Sequence, residues 1–298
     1  MDGPTAVAEP DRRLYRALMF TPGNDERKLA KVTTLGADVV VLDLEDAVAD
    51  AEKVAARATA RAALDGYAAA TAFIRVNPFD SGLMEDDVAA VVGPGLAGIM
   101  LPKVEDPAAL PRIDSVITAA ERAAGLPDGS TQLLGLIETA RGVVAVDDIA
   151  AAAPARTVTL CFGQGDFSAD LGIALTPDAT EVLYARSRLV VAVRAARLAP
   201  PIDGPYLDIR DLDGLRSDSQ RSRQLGYQGR IAIHPLQVEV IQSVFGHLTD
   251  EQRHQARAII AAFEEAETRG LASIQVEGTF VDYPIYERAQ RMLAAAVD

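Results

Sequence analysis

Glu138 and Asp166 each stand just beyond an apolar run, in LLGLIET (Leu133–Thr139) and LCFGQGD (Leu160–Asp166). Two carboxylates at one pocket mouth, completed by waters and a substrate oxygen, form a hard-oxygen site of the kind that suits Mg²⁺. The same residues also read as a helix cap and ion-pair partners, since Asp166 precedes FSADLG. Three further apolar runs end in polar clusters: VVVLDLEDA (Val39–Ala47), AFIRVNP (Ala72–Pro78) and GIMLPK (Gly98–Lys103). Asp43 and Glu45, two residues apart, fall on one side of the strand they end. Like charges so placed need a cationic partner or a metal, and Arg75 at the end of the next run is the natural partner. A pocket arginine offers a planar fork that takes a carboxylate through two bonds; a structural Arg–Glu bridge is the other reading. Of the three histidines, only His234, in AIHP, falls at a strand end, where a packed, hydrogen-bonded role is commoner than that of a base.

Chemistry at the C-terminal end of run after run demands an architecture that gathers those ends. Short apolar runs alternate with helical stretches. The strands are expected at Leu14–Phe20, Val39–Leu44, Ala72–Val76, Gly98–Leu101, Leu133–Ile137, Val158–Phe162, Pro205–Ile209 and Ile231–Ile233. The helices between them are expected after the TPGN turn and over Asp50–Ala63, Met84–Val92, Pro107–Ala124, Ala140–Ala153, Pro177–Leu198, Leu212–Leu225 and Leu236–Phe245. Eight such units predict an α/β fold, a (β/α)8 TIM barrel, over residues 13–246, whose catalytic groups lie at the strand C-termini. Residues 1–12 read as a disordered N-terminus. Residues 247–298 read as a C-terminal helical extension with a lid: a helix over Asp250–Arg269, a strand at Ala272–Val276, a loop EGTFVDYP (Glu277–Pro284) and a helix over Tyr286–Ala295.

A formal net charge of −14 argues against nucleic-acid or acidic-membrane partners, which need a basic footprint. The single cysteine, Cys161, lies in an apolar run and reads as buried filler, and no disulfide can form within the chain. No apolar run approaches the roughly 20 residues of a membrane span, and the N-terminus lacks the pattern of a secretory signal. A cytoplasmic protein is expected. GQGDFSADLG lacks the spacing of a dinucleotide fingerprint.

The segments LMFTPGN, DVVVLDLEDAVADAEKVAAR, IRVN, MLPKVE, GLIETARG, GQGDFSADLG, DGPYLDIRDLDGL, GYQGRIAIHPLQV and EGTFVDYP together resemble the citrate lyase beta-subunit-like family of the HpcH/HpaI aldolase group, close to malyl-CoA and citramalyl-CoA lyases. They run in the family's order from about Arg16 to the end of the chain. The resemblance implies a barrel assembling into homotrimers or hexamers, with Mg²⁺ (or Mn²⁺) on Glu138 and Asp166. It implies that Arg75 holds a 2-keto-acid carboxylate, that Glu45 orients that site, and that the backbone at Gly165–Asp166 also touches the acid. Phe20 and Lys31 match positions that contact coenzyme A, and Arg16 matches a further basic position near them. Asp282 matches an acid on a C-terminal lid that completes a neighbouring subunit's site. One departure stands out. Relatives usually carry Ser or Asn and then Arg after LF-x-PG, whereas Asn24 is followed here by Asp25, with Arg27 or Lys28 as the candidate replacement cation.

The activity implied is Mg²⁺-dependent carbon–carbon cleavage or formation of a 3-hydroxyacyl-CoA from an acyl-CoA and a 2-keto acid. Three alternatives share the site: a malyl-CoA-type thioesterase, a CoA-independent 2-keto acid aldolase, and a citrate lyase beta subunit acting on an acyl-carrier protein.

Overall fold

The computed structural model describes residues 15–67, 71–246 and 250–295. The expectation for residues 1–12 lies outside them. Strands β1 (Ala17–Pro22), β2 (Val39–Asp43), β3 (Thr71–Arg75), β4 (Gly98–Leu101), β5 (Gln132–Ile137), β6 (Thr157–Phe162), β7 (Ile202–Asp203) and β8 (Gly229–Ala232) pair in sequence order and close β8 onto β1. The pairings are parallel. Between them run α1 (Glu26–Val32), α2 (Lys53–Leu64), α3 (Met84–Val91), α4 (Ala109–Ala123), α5 (Ala140–Ala151), α6 (Gln164–Leu171), α7 (Leu183–Ala195) and α8 (Leu212–Leu225), with α9 (Pro235–Gly246) after β8. The expected (β/α)8 barrel is therefore the fold.

Parallel strands under helices bury both faces, so β2, β4 and β8 carry buried residues throughout. Alternate residues such as Leu18, Val41, Phe73, Leu134 and Cys161 fill the interior. Gly98 makes room for one of them: a Cβ there would lie 2.2 Å from the Phe73 ring.

Beyond shifts at the ends of β1, β2, β3, β5 and β6, β7 and β8 depart from expectation. Apolar Leu207 and Ile209 suggested a strand over 205–209, but they are 50% and 37% exposed. The strand is Ile202–Asp203, ending before Pro205, which has no N–H to give a neighbour. β8 likewise ends at Ala232, because the N–H of Ile233 turns to the Gln237 side chain (2.9 Å). The expected helix over 177–198 begins later, as α7, after a 3₁₀ turn at Thr180–Val182.

The chain divides into two compact units, one ending at Ile241 and the other starting at Gln242. Beyond α9, the second unit holds α10 (Asp250–Thr268), β9 (Ser273–Val276), β10 (Thr279–Asp282) and α11 (Tyr283–Ala295) around Phe263, which stacks on Tyr286 at 4.8 Å between ring centres. The expected loop over EGTFVDYP is instead half of a hairpin. Thr279 pairs with Val276, and Glu277 and Gly278 turn with positive φ, at 47° and 82°. That is the primed two-residue turn favoured by strand twist. Among the described residues no helix is long and apolar enough to cross a membrane.

Candidate active site

Parallel register brings the first pair together. Asp43 and Arg75, last residues of β2 and β3, are register partners. Arg75 donates from Nε and Nη2 to the two oxygens of Asp43, at 2.7 and 2.6 Å. Its Nη1 lies 2.9 Å from Glu45 Oε2 and 3.6 Å from Asp46. Asp43 thus grips the Nε/Nη2 side of the guanidinium and Glu45 stands against Nη1, so a further carboxylate would meet the Nη1/Nη2 end beside Glu45. The Phe20 ring lies under the same group, 5.2 Å from Cζ. Burial disfavours the charge of Arg75, but Asp43 and Glu45 outweigh it and raise its pKa.

Glu45 is 2% exposed. Burial pushes its carboxyl up to about 7, against the pull of Arg75. Lys103 Nζ stands 3.0 Å from its other oxygen. Neither oxygen is aligned for a hydrogen bond with these cations. The backbone around Glu45 is held from below. Lys53 donates to the Glu45 carbonyl (2.7 Å) and to Asn77 Oδ1 (2.8 Å), while Asn77 donates to Leu44 O and to buried Asp87.

Glu138 follows β5 and is 1% exposed. Its Oε1 accepts from the Lys103 backbone N–H at 2.9 Å. Lys103 adopts φ of 49°, a left-handed backbone uncommon in a lysine, and so serves Glu138 with its backbone and Glu45 with its side chain. Glu138 is pushed well above the ordinary carboxylate range, by burial first, then by Glu45, and further by the neighbouring Asp166. Asp166 belongs to the first turn of α6 rather than capping it; the cap position is Gly163. A Cβ on Gly163 would come within 2.5 Å of Glu138 Cβ and 2.6 Å of Oε2, so glycine there is what leaves the Glu138 side chain its place against the start of α6. At Gly165 a Cβ would meet nothing within 4 Å.

Glu45, Asp43, Asp46 and Glu138 thus share Arg75 and Lys103, and Asp166 joins them beside Glu138. Negative charge is in excess, and the Glu138–Asp166 pair offers hard oxygens to a divalent cation. Two carboxylates would leave such an ion positions for waters and substrate; among the described residues no group of three or more His, Cys, Asp or Glu is placed to hold a metal.

Other expected residues fall elsewhere. Arg16 stands at the opposite end of β1, its fork on Asp38 (Nε 3.1 Å, Nη2 2.7 Å); the structure does not bring it to the strand C-termini. Lys31 is exposed in the last turn of α1. Asp25 is the N-cap of that helix, accepting from the N–H groups of Arg27 and Lys28 at 3.1 Å each, and these bonds, that of Lys28 first, lower its pKa. With Pro22, Asn24, Glu26, Arg27, Lys28 and Ala47 it lines an open hollow. His234 Nδ1 accepts from Leu236 N at 3.3 Å at the start of α9, the structural role. Asp282 ends β10 in the second unit and accepts from Ile285 N at 3.3 Å, at the start of α11. Sequence reasoning missed Lys103 and Gly163, whereas the pairing of Asp43 and Glu45 with Arg75 is the one it expected. The lysine that closes GIMLPK was the one available signal, because it stands at a strand end like the acids.

Residues 16–235 match the model of the HpcH/HpaI aldolase/citrate lyase family. The chain belongs to that family. It is 36% identical over 288 residues to the citrate lyase subunit beta of Leuconostoc mesenteroides subsp. cremoris, covering 96% of this chain and 94% of that protein. It is 32% identical over 292 residues to the mitochondrial citramalyl-CoA lyase of Rattus norvegicus, covering 94% and 86%. Its fold matches CitE from Mycobacterium tuberculosis in complex with magnesium, acetoacetate and coenzyme A, with a TM-score of 0.78, 28% identity and coverage of 96% and 99%. These relatives are lyases, and the chain is an enzyme of that family.

Proposed function

We propose that the chain is a Mg²⁺-dependent carbon–carbon lyase that cleaves or forms a 3-hydroxyacyl-CoA, exchanging it for an acyl-CoA and a 2-keto acid. The observation that carries this is the adjacency of a gripped arginine, the buried Glu138 and its half-buried neighbour Asp166. Arg75 offers its Nη1/Nη2 end to a carboxylate, and Glu138 with Asp166 would hold the ion. Bound there, Mg²⁺ (or Mn²⁺) would polarise the keto carbonyl as a Lewis acid. Arg75 fixes the acid's carboxylate, Glu45 and Asp43 fix Arg75, and Lys103 ties Glu45 to Glu138. The N–H groups at Gly165–Asp166, in the unbonded first turn of α6, would meet the acid. The CoA moiety is assigned to the hollow between Pro22 and Ala47, where Arg27 and Lys28 supply positive charge beside Glu26 and Asp25, the latter occupied in capping α1. Asp282 is the acid–base group for the acyl methyl proton, contributed by a neighbouring copy in a homotrimer or hexamer. The likeness to a citramalyl-CoA lyase and to a magnesium, acetoacetate and coenzyme A complex supports the reading.

The test is a panel of 3-hydroxyacyl-CoA thioesters with Mg²⁺, reading 2-keto acid and free CoA separately. Keto acid should form in step with acyl-CoA, stop in EDTA and return with Mg²⁺. Free CoA without keto acid would select the thioesterase. Turnover of free acids alone would select a CoA-independent aldolase, and turnover only on an acyl-carrier protein a citrate lyase beta subunit.

A further inference from the structure

The helix that carries Asp166 has no side-chain cap. Gly163, at the cap position, is kept bare by Glu138, and it makes no side-chain bond to the first turn. Something else must set where that turn lies. The next residue, Gln164, is 4% exposed although it opens a helix at the barrel mouth. Its amide nitrogen donates to the Pro205 carbonyl, and its oxygen accepts from Arg186 Nη2 at 2.8 Å. Arg186 in turn is fixed. It donates to both oxygens of Asp218, at 2.9 and 2.8 Å, and to Asp203 at 3.2 Å. Arg230 closes the set on Asp203 (2.9 Å) and on Asp218. These four side chains are at most 3% exposed, so the set is a charge-balanced anchor with no solvent to loosen it.

The backbone follows the same route. A Cβ on Gly204 would lie 2.8 Å from Phe162 O and 2.9 Å from Gln164 N, so the ends of β6 and β7 press together only because that residue is glycine. The N–H of Gly204 is itself held by Asp203 at 2.9 Å.

We infer that Gln164 is a positioning residue: it clips the first turn of α6 to the buried Arg186–Asp218–Arg230–Asp203 set and thereby holds Asp166 against Glu138. This rests on the reading of Glu138 and Asp166 as the metal pair. Gln164 touches neither metal nor substrate, so its contribution is read in metal affinity rather than in chemistry.

The experiment is calorimetric titration of Mg²⁺ into the metal-free protein, with melting measured on the same samples. Gln164→Met keeps the length and loses both bonds; outer partners of this kind are worth about tenfold to a hundredfold in affinity, and a loss of at least about tenfold is expected. Gln164→Glu keeps an acceptor for Arg186 and loses the donor to Pro205, and should bind between Met and parent. Thr159→Val, which removes a buried bond from β6 to Ala199 O (2.7 Å), serves as the structural control and should bind as the parent does. Equal affinity in Gln164→Met, or an equal loss in Thr159→Val, overturns the inference and leaves the metal assignment standing. If Gln164→Met does not fold, parental affinity in Gln164→Glu overturns it. A parent that takes up no Mg²⁺ removes the metal reading and the inference together.

Discussion

Gly163 is a glycine for reasons of space and not of backbone, since its φ of −105° is open to any residue. Its partner Glu138 occupies the volume a methyl group would need. Gly163→Ala should therefore displace Glu138 or the start of α6 and weaken Mg²⁺ binding by about tenfold or more, measured by titration. Gly165→Ala offers the contrast. A Cβ there meets nothing, and alanine is up to about 1 kcal/mol better than glycine within a helix, so melting should hold or rise. A fall in kcat/KM in that variant alone would then report contact with the bound acid. At this scale the acids and Arg75 were legible because each ends an apolar run. Lys103 and Gly163 were not: a lysine at a strand end resembles any solvated lysine, and the need for an absent side chain is visible only once its neighbour is in place.

Elements are decided by what their ends can pair with. Seven of the expected strands overlap those of the barrel, because an apolar run between turn signals is a strong cue for a strand buried on both faces. The exception, β7, is two residues long and preceded by the double proline Pro200–Pro201, so it has almost no run to read. What fixes it is a register pair, Asp203 beside Arg230, as Asp43 stands beside Arg75. The first pair anchors helices and the second faces the site. Buried charges so coupled should dominate stability at that side of the barrel. Burial pushes the Asp218 carboxyl up, but the bonds from Arg186 and the charge of Arg230 win and hold it far below the ordinary range. A depressed carboxylate contributes stability above its unfolded pKa, about 4, and loses it as pH falls through the folded value. Asp218→Asn should cost about 3 kcal/mol or more at neutral pH, since it leaves buried arginines short of a partner. The gap between variant and parent in urea unfolding should narrow as pH drops below about 4. A gap that is constant with pH would mean that shape, not charge, is lost.

For the whole molecule the question is why an acid sits at the end of β10, in a unit separate from the barrel carboxylates. Capping is a sufficient local reason, because Asp282 accepts from Ile285 N at the start of α11. The hairpin that presents it was hidden in the sequence, since Glu-Gly is a weaker turn signal than Asn-Gly and FVDYP reads as coil around its proline. Asparagine separates the two roles. It caps as well as aspartate, so Asp282→Asn should alter stability by less than about 0.5 kcal/mol. It cannot take or give a proton, so if Asp282 handles the acyl methyl proton, kcat should fall by about 10²- to 10⁴-fold while Mg²⁺ and keto-acid binding persist. Complementation then asks whether the acid acts between copies. The partner variant should be Arg75→Lys, because Arg75→Ala would strand Asp43 and Glu45 as buried unpaired charges, whereas lysine keeps the charge and loses the fork. Two inactive proteins, mixed under conditions of verified subunit exchange, should regain part of the parental rate, because a hybrid interface can join an intact Arg75 to an intact Asp282. No recovery would confine each site to one chain, and an Asp282→Asn enzyme with full kcat would leave the residue its cap and nothing more.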